Sequence, residues 1–172
     1  AELCRLHGVP FILDAAQSAG SRPVGLRSLG AEFIAMPGHK GLLGPQGTGL
    51  LLCGRDPEPL MQGGTGSISA EQDMPDFLPD RLEAGTHNMP GIAGLLAGVR
   101  YVQERGEAAI CRHERELAQM AVKGLQKLNG VQVFALPDLR AQTGVVSFRM
   151  EGRDAEDVGA SLAAEDIAVR AG

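Results

Sequence analysis

The 172-residue sequence contains no apolar run long enough to span a bilayer, no C-x-x-C pair and no cluster of basic residues. The first absence excludes a membrane-spanning helix. The net charge is −5 and the 16 lysine and arginine residues are scattered, which argues against nucleic acid or an anionic membrane as a partner. The start of the chain also lacks the basic-then-apolar pattern of a signal peptide. The composition fits an enzyme that acts on a small molecule.

Cysteine is scarce, and the three cysteines lie far apart. Cys4, Cys53 and Cys111 are odd in number and show none of the spacings of a zinc site or a disulfide framework. This usage predicts a reducing, cytoplasmic setting. We expect Cys53, at a strand end, and Cys111, on an amphipathic helix, to be small buried hydrophobic residues.

Short apolar runs bounded by glycine or proline dominate the first third of the chain. Residues 1–7 have the pattern of a helix end. Residues 9–14, 32–36 and 48–53 are continuous apolar runs, which predicts strands covered on both faces. Residues 55–81 are rich in glycine, proline, serine and acidic residues, so we predict a long functional loop there.

Two amphipathic helices follow this loop. The first begins near Met89, with Pro90 in its first turn, and ends at Gly106, while the second stops at residues 129–130. The apolar positions expected to face the core are Ile92, Leu95, Leu96, Val99 and Val102 in the first helix and Ile110, Leu117, Ala121, Leu125 and Leu128 in the second.

The last part of the sequence alternates strand and helix patterns. That alternation describes a smaller α/β unit packed beside the first. We therefore predict an α/β protein with two domains, residues 1–105 and residues 106–172. The predicted elements of the second domain are strands at residues 131–135, at residues 144–150 and from residue 167, and a helix at residues 154–165.

Lys40 is the only lysine in the first 122 residues, and its neighbours are glycines, a histidine and apolar residues. Burial removes hydration from an ammonium group and favours the neutral amine, which can attack a carbonyl and form a Schiff base. We therefore expect Lys40 to be a buried nucleophile. A surface lysine in a glycine-rich turn is the alternative.

Asp14 ends an apolar strand, where the ligands of open α/β sheets gather. Its alternative role is to cap the segment that follows.

Three motifs together resemble a known family. They are Asp14-x-x-Gln17, GHKGLLGPQG at residues 38–47, and RLEAGT at residues 81–86 with PGI shortly after. The combination closely resembles the C-terminal part of class V aminotransferases, in particular the cysteine desulfurase and selenocysteine lyase branch. The family uses pyridoxal phosphate and has the aspartate-aminotransferase fold.

The resemblance extends over essentially the whole chain, which would cover less than half of the family's length. Because the sequence begins at Ala1 and stops at Gly172, we expect a fragment. It would comprise the C-terminal portion of the large, mostly parallel-sheet cofactor domain at residues 1–105 and a truncated small domain at residues 106–172. We expect this fragment alone to be inactive.

The resemblance assigns roles to individual residues. Lys40 would form the Schiff base with pyridoxal phosphate and then shuttle protons. Asp14 would keep the pyridine nitrogen protonated, and Gln17 would donate a hydrogen bond to the phenolic oxygen of the ring. His39 would contact the cofactor, as the family's phosphate-contacting histidine does, and its alternative is a histidine satisfied by backbone groups in a tight turn.

Two further residues concern the partners that the resemblance implies. Thr86 would contact the phosphate bound by a neighbouring subunit, which implies a homodimer with shared sites, and its alternative is an ordinary turn threonine. Arg170 would grip the α-carboxylate of an amino-acid substrate through two parallel hydrogen bonds, and its alternative is a surface arginine at a strand end.

The expected reaction is removal of sulfur from L-cysteine to give L-alanine, with a protein as the sulfur acceptor. The alternatives are an aminotransferase for small amino acids and 2-oxo acids, and a non-catalytic scaffold. Pro37 departs from the family pattern, in which a serine or threonine precedes Gly-His-Lys, because proline offers a phosphate neither a hydroxyl nor an N–H. The family's sulfur-accepting cysteine would follow Gly172, so Cys53 and Cys111 do not occupy its place.

Two unrelated functions fit the residues less well. A nucleotide-binding loop at residues 41–49 lacks the Gly-Lys-Ser/Thr ending, and its lysine precedes the glycines. A metal site would need ligand spacing, which only Cys111 and His113 approach among the histidines and cysteines, and a helix would splay that pair. We therefore expect no metal.

Overall fold

The computed structural model describes residues 1–68 and 70–172, and the chain divides into two compact units, Ala1–Glu107 and Ala108–Gly172. The division lies next to Gly106, where the sequence places the end of the first long helix. In the described part of the chain, no helix combines the length and the apolarity needed to cross a membrane.

The first unit contains a three-stranded sheet. Its strands, in spatial order, are β1 (Ile12–Asp14), β2 (Phe33–Pro37) and β3 (Gly49–Cys53). β1 and β2 are parallel, with Asp14 opposite Ala35. β3 is antiparallel to β2, with Pro37 opposite Gly49. The three apolar runs of the sequence therefore do form strands, but only one of the two strand pairs is parallel.

One face of this sheet forms the core of the first unit. Ile34 is fully buried there. On the opposite face, Ile12 is 63% exposed and Leu51 is 49% exposed. The expectation that the strands are covered on both faces is therefore met on one face only. The buried members of the core cluster are Ala15, Ala19, Ala31, Ile34, Met36, Leu42 and Leu95.

Among its described residues, the first unit contains three helices: α1 (Glu2–Leu6), α2 (Leu26–Leu29) and α3 (Met89–Arg105). α3 begins and ends as the sequence predicts, with Asn88 accepting a hydrogen bond from the Gly91 N–H and Gly106 ending the helix at φ 80°. Its buried residues are Gly91, Leu95, Gly98 and Val102.

The apolar face predicted for α3 is partly wrong. Leu95 and Val102 are buried, but Ile92 is 44% exposed and Leu96 is 49% exposed. The contact face is rotated toward the glycines because the helix backbone itself approaches a neighbouring loop at Gly98, as described below.

The connection between β3 and α3, residues 54–88, contains no helix or strand among its described residues. This agrees with the predicted long loop, in which Ser69 lies outside the described residues. The Gly85 N–H donates to the Gly64 carbonyl at 2.7 Å, and Arg81 lies 3.4 Å from Glu58. These contacts link distant points of the loop to each other.

The second unit contains most of α4 (Glu107–Leu125), β4 (Val131–Phe134), β5 (Ser147–Met150) and α5 (Ala155–Ala163). β4 and β5 form an antiparallel pair. Asp154 caps α5 by accepting from the Glu156 N–H at 2.9 Å. The buried residues of α4 are Ala118 and Val122, whereas Leu117 is 50% exposed. The face predicted for α4 was therefore wrong by one helical position.

The predicted third strand of this unit, from residue 167, was also wrong. After α5 the chain passes through Asp166 at φ 58°, and the Ile167 N–H donates to the Leu162 carbonyl. Residues 167–172 form no strand. The Ile167 N–H thus forms the last hydrogen bond of the helix end. Apolar side chains alone do not create a strand when no neighbouring strand is available for pairing.

Candidate functional site

The candidate site begins where β1 and β2 end. Asp14 is the last residue of β1 and pairs with Ala35 of β2, and the next N–H, from Ala15, donates to the Ala35 carbonyl at 2.8 Å. Neighbouring parallel strands are about 4.8 Å apart and end at the same sheet edge. The segments that follow the two strands therefore start side by side.

These two segments contact each other through glycines. A Cβ atom on Gly20 would collide with the Gly41 carbonyl oxygen, and a Cβ atom on Gly41 would collide with the Ala19 carbonyl oxygen. Gly20 also has φ 89°, which side-chain-bearing residues rarely adopt. The structure thus brings the Asp14–Gln17 motif and the His39–Lys40 motif together at one sheet edge.

Asp14 forms the capping contact that was its alternative role, and it does so with one of its two carboxylate oxygens. Its Oδ1 accepts the Ala16 N–H at 2.9 Å, which is the capping interaction. The residue is exposed, and no group of the described chain bonds to Oδ2. One oxygen therefore holds the carboxylate in place, and the other is available to a ligand.

Lys40 is exposed, so the expected buried amine was wrong. The glycines around it permit a tight backbone turn. In this turn the Leu43 N–H donates to the Lys40 carbonyl at 2.9 Å, and the Gly44 N–H donates to the Gly38 carbonyl at 2.7 Å. These bonds fold a tight turn and leave the lysine side chain outside. Enclosure of a backbone turn does not imply enclosure of its side chains.

Gln17 and His39 are exposed as well. Within the described residues, neither side chain forms a hydrogen bond or an ion pair, so the backbone-satisfied histidine is not observed. Both side chains keep their polar atoms free for a ligand.

Pro37 ends β2, and the following Gly38 N–H donates to the Thr48 carbonyl at 2.8 Å. The Thr48 hydroxyl lies close to Gly38, but it donates to the Pro45 carbonyl at 2.7 Å. The nearby threonine therefore does not present a free hydroxyl proton in place of the one that Pro37 lacks.

The third motif reaches the same region through an open cleft of about 890 Å³. Asp14, Ala35 and Leu51 line the cleft from the sheet, and Leu82 and Glu83 line it from the long loop. Lys40 is not among the lining residues. The cleft thus brings the RLEAGT motif close to Asp14.

Thr86 is exposed and follows Gly85, whose φ is 91°. The next residue, His87, places Nδ1 2.8 Å from Oε2 of Glu83. This contact holds the segment around Thr86.

Arg170 belongs to the second unit and is exposed. It lines a cavity of about 560 Å³ together with Phe148 and Val158. It lies on an irregular segment and not at the strand end that the sequence predicted.

The three cysteines are each half-buried rather than fully buried. Burial, and secondarily Asp56, raises the pKa of the Cys53 thiol. The Sγ of Cys111 accepts from Nη2 of Arg115 at 3.5 Å. In the described ranges, no three histidine, cysteine or acidic residues are grouped closely enough to hold a metal ion.

The raised pKa makes Cys53 a slow nucleophile. We expect iodoacetamide to alkylate Cys53 more slowly than free cysteine at pH 8, because the thiolate is the reacting form and less of it is present. Time-resolved mass spectrometry of the Cys53 peptide measures the rate. Asp56→Asn should increase it only slightly, since burial is the larger cause. Faster alkylation of Cys53 than of free cysteine would contradict the assignment.

Sequence reasoning missed the glycines that shape this site. Gly20, which permits the contact with Gly41, was assigned no role from the sequence. Gly91, Gly94 and Gly98 recur at helical spacing in α3, although each glycine costs a helix about 1 kcal/mol relative to alanine. That spacing was the available signal.

Known proteins resemble the chain over its whole length. A family model described as aminotransferase class-V matches residues 1–172. A probable cysteine desulfurase 2 of Mycobacterium leprae is 37% identical over 171 residues, which are 96% of this chain and 41% of that protein.

Two solved structures extend the comparison. The apo cysteine desulfurase of Thermococcus onnurineus NA1 superposes with a TM-score of 0.84 at 36% identity, covering 98% of this chain and 44% of that one. A variant of C-DES with glycine covalently linked to its pyridoxal phosphate cofactor superposes with a TM-score of 0.83 at 28% identity, covering 98% and 47%. C-DES is described as a cystine C–S lyase, with cysteine persulfide as its reaction product. The chain spans less than half the length of each of these relatives.

Proposed function

Because the chain belongs to the class-V aminotransferase family, we propose that it carries the cofactor-holding lysine of a pyridoxal-phosphate enzyme that removes sulfur from L-cysteine to give L-alanine. Its fold is part of the aspartate-aminotransferase type. The contact between the segments after β1 and β2 carries the proposal, because it sets Asp14 and Lys40 at one sheet edge. Relatives named cysteine desulfurase support the choice of substrate.

The residues at this edge fit pyridoxal phosphate by their chemistry. Asp14 offers a free carboxylate oxygen, Gln17 an amide donor, His39 an imidazole and Lys40 a primary amine, and all four residues are exposed. When bound, the cofactor supplies an electron sink for the electrons released at the α-carbon of an amino acid.

Asp14 would keep the pyridine nitrogen of the bound cofactor protonated, which the cofactor needs in order to accept electrons. The Ala16 N–H holds Oδ1, so Oδ2 has a fixed position from which it can accept a hydrogen bond from a protonated ring nitrogen. A negative charge at this point stabilises the proton on the nitrogen. Gln17 would offer its amide N–H to the phenolic oxygen of the bound cofactor.

Lys40 combines a fixed backbone with a free side chain. Its Nζ would hold a bound pyridoxal phosphate through the aldehyde group, and once a substrate amine had displaced it, Nζ would be the base for the proton on the substrate α-carbon. The Leu43 N–H and the Gly41 contact fix the Lys40 backbone, so the reach of Nζ is set by one side chain only. His39 would offer a hydrogen-bond donor to the phosphate of the bound cofactor.

The remaining residues complete the proposal. Arg170 binds the α-carboxylate of the substrate, and a second protein accepts the sulfur. Thr86 reaches a phosphate held by a second copy of the chain, which makes the enzyme a homodimer. A cytoplasmic location agrees with three free thiols.

A C–S lyase is the second candidate, because the likeness to C-DES reaches a TM-score of 0.83. The two reactions leave different products. Removal of sulfur alone leaves alanine, whereas elimination across the α- and β-carbons leaves pyruvate and ammonia. An aminotransferase would leave the sulfur on a 2-oxo acid.

Borohydride trapping tests the proposal. The complete gene product is incubated with pyridoxal phosphate, reduced with borohydride to make the bond to Nζ permanent, and mapped by mass spectrometry. We expect the label on Lys40 and not on Lys123 or Lys127, which serve as internal controls. A separate sample that has not been reduced should convert L-cysteine to alanine. Absence of label on Lys40 contradicts the cofactor role, and pyruvate instead of alanine selects the lyase.

A further inference from the structure

The turn that carries Lys40 rests directly on the backbone of α3. A Cβ atom built on Gly98 would collide with the Leu42 carbonyl oxygen and lie 2.7 Å from the Leu43 carbonyl carbon. Leu42 and Leu43 follow Lys40 within the turn closed by the Leu43 N–H. Gly98 is buried by this contact.

A second glycine supports the other end of the loop. A Cβ atom on Gly94 would lie 3.1 Å from two ring carbons of Pro45. Between the two glycines, Leu95 is 5% exposed, and its Cδ1 would lie 2.8 Å from a Cβ atom on Gly44. We call Gly94 and Gly98 the glycine seat.

Helix stability does not explain the seat. Glycine is among the least favourable residues in the interior of a helix, and alanine would be preferred at both positions. Residues four apart lie on the same helix face, here the face toward the Lys40 loop. The absence of two side chains permits a closer approach of two backbones than any other residue allows.

The Lys40 turn is enclosed on its other side as well. Gly41, next to Lys40, contacts the Ala19 carbonyl of the segment that follows Asp14. Leu43 has φ 56°, a left-handed conformation that leucine rarely adopts outside a constraining environment. The seat and the Asp14 segment therefore hold the turn between them.

We propose that Gly94 and Gly98 are positioning residues that fix Nζ of Lys40 relative to Asp14, an inference that rests on the proposed cofactor role of Lys40. A methyl group at Gly98 would push the Leu42 and Leu43 carbonyls outward and rotate the turn. The turn cannot relax toward Ala19, because Gly41 already contacts that carbonyl. The displacement therefore passes to Lys40.

Gly98→Ala and Gly94→Ala in the complete gene product test the inference, with Ala97→Gly as the matched control. Ala97 is exposed on the same helix, so its replacement weakens α3 without touching the turn. The readouts are kcat and KM for alanine formation, the rate at which pyridoxal phosphate labels Lys40 in the apo protein under borohydride, and circular dichroism for folding.

We expect Gly98→Ala to lower kcat about 100-fold, and Gly94→Ala about 10-fold, because a displacement near 1 Å costs rates of this order. KM should change by less than a factor of about 3, and labelling of Lys40 should slow with kcat, because both depend on the position of Nζ. Ala97→Gly should stay within about twofold of the wild type in kcat and labelling.

The outcomes separate this inference from the proposed function. A wild-type protein that is not labelled on Lys40 contradicts the proposed function. If the wild type is labelled on Lys40 and Gly98→Ala is labelled and turns over equally fast, the proposed role of the glycine seat is overturned. It is also overturned if Ala97→Gly loses as much kcat as Gly98→Ala. Should Gly98→Ala not fold, Gly94→Ala decides, and wild-type kcat and labelling in that variant overturn the inference.

Discussion

Lys40→Ala in the complete gene product is expected to lower kcat for alanine formation from L-cysteine by at least about 10⁴-fold, because one amine both captures the cofactor and moves the proton. The free energy of unfolding should change by less than about 0.5 kcal/mol, since the side chain is exposed and unpaired within the described residues. Turnover is measured with alanine as product, and stability by denaturant unfolding.

Two further variants make this result specific to Lys40. Lys40→Arg keeps the charge, but a guanidinium is a poor nucleophile, so its kcat should fall as far as that of Lys40→Ala. Lys123→Ala removes another exposed lysine and should leave kcat unchanged. A Lys40→Ala protein that retains more than about 1% of the wild-type kcat would contradict the proposed role.

Asp14→Asn is expected to lower kcat by about 10² to 10³-fold, the usual loss when one preorganised electrostatic partner is removed. Asparagine keeps an oxygen that can accept the Ala16 N–H, so the turn after β1 should remain folded. The substitution therefore separates the charge of Asp14 from its capping function. Its kcat, KM and unfolding free energy are measured together.

Asp14→Ala removes both functions and provides the comparison. It should lose as much kcat as Asp14→Asn and also about 1 kcal/mol of stability, the usual value of a capping hydrogen bond. Asp76→Asn, at an exposed loop position, should leave both quantities unchanged. If Asp14→Asn keeps the wild-type kcat while Asp14→Ala loses stability, Asp14 has only a capping role and the proposed role in cofactor binding is contradicted.

Local pattern was sufficient to predict most elements of the fold. The apolar runs gave β1, β2 and β3, and α3 was bounded correctly by Pro90 in its first turn and Gly106 after its last. These features depend on neighbours in sequence. The third strand of the second unit failed because a strand needs a paired partner, and the apolar residues from Ile167 onward have none among the described residues.

The position of the candidate site in the fold was predictable, but the environment of its side chains was not. Parallel pairing places Asp14 and Lys40 at one sheet edge, which follows from strand order alone. The exposure of Lys40 did not follow, because flanking glycines indicate a confined backbone and carry no information on where a side chain points. The rotated face of α3 also escaped prediction, since scales of hydrophobicity assign glycine no contact energy.

The contact between Gly20 and Gly41 restricts how this sheet edge can vary. The Gly41 carbonyl occupies the space that a methyl group on Gly20 would need, and the Ala19 carbonyl occupies the space that a methyl group on Gly41 would need, so a side chain at either glycine requires the two loops to separate. The size of the residue that one loop can accept therefore depends on the position of the other loop, although the two are separated in sequence. Diversification of this edge, by evolution or in a library, has to proceed at flanking positions while both glycines are retained as a pair.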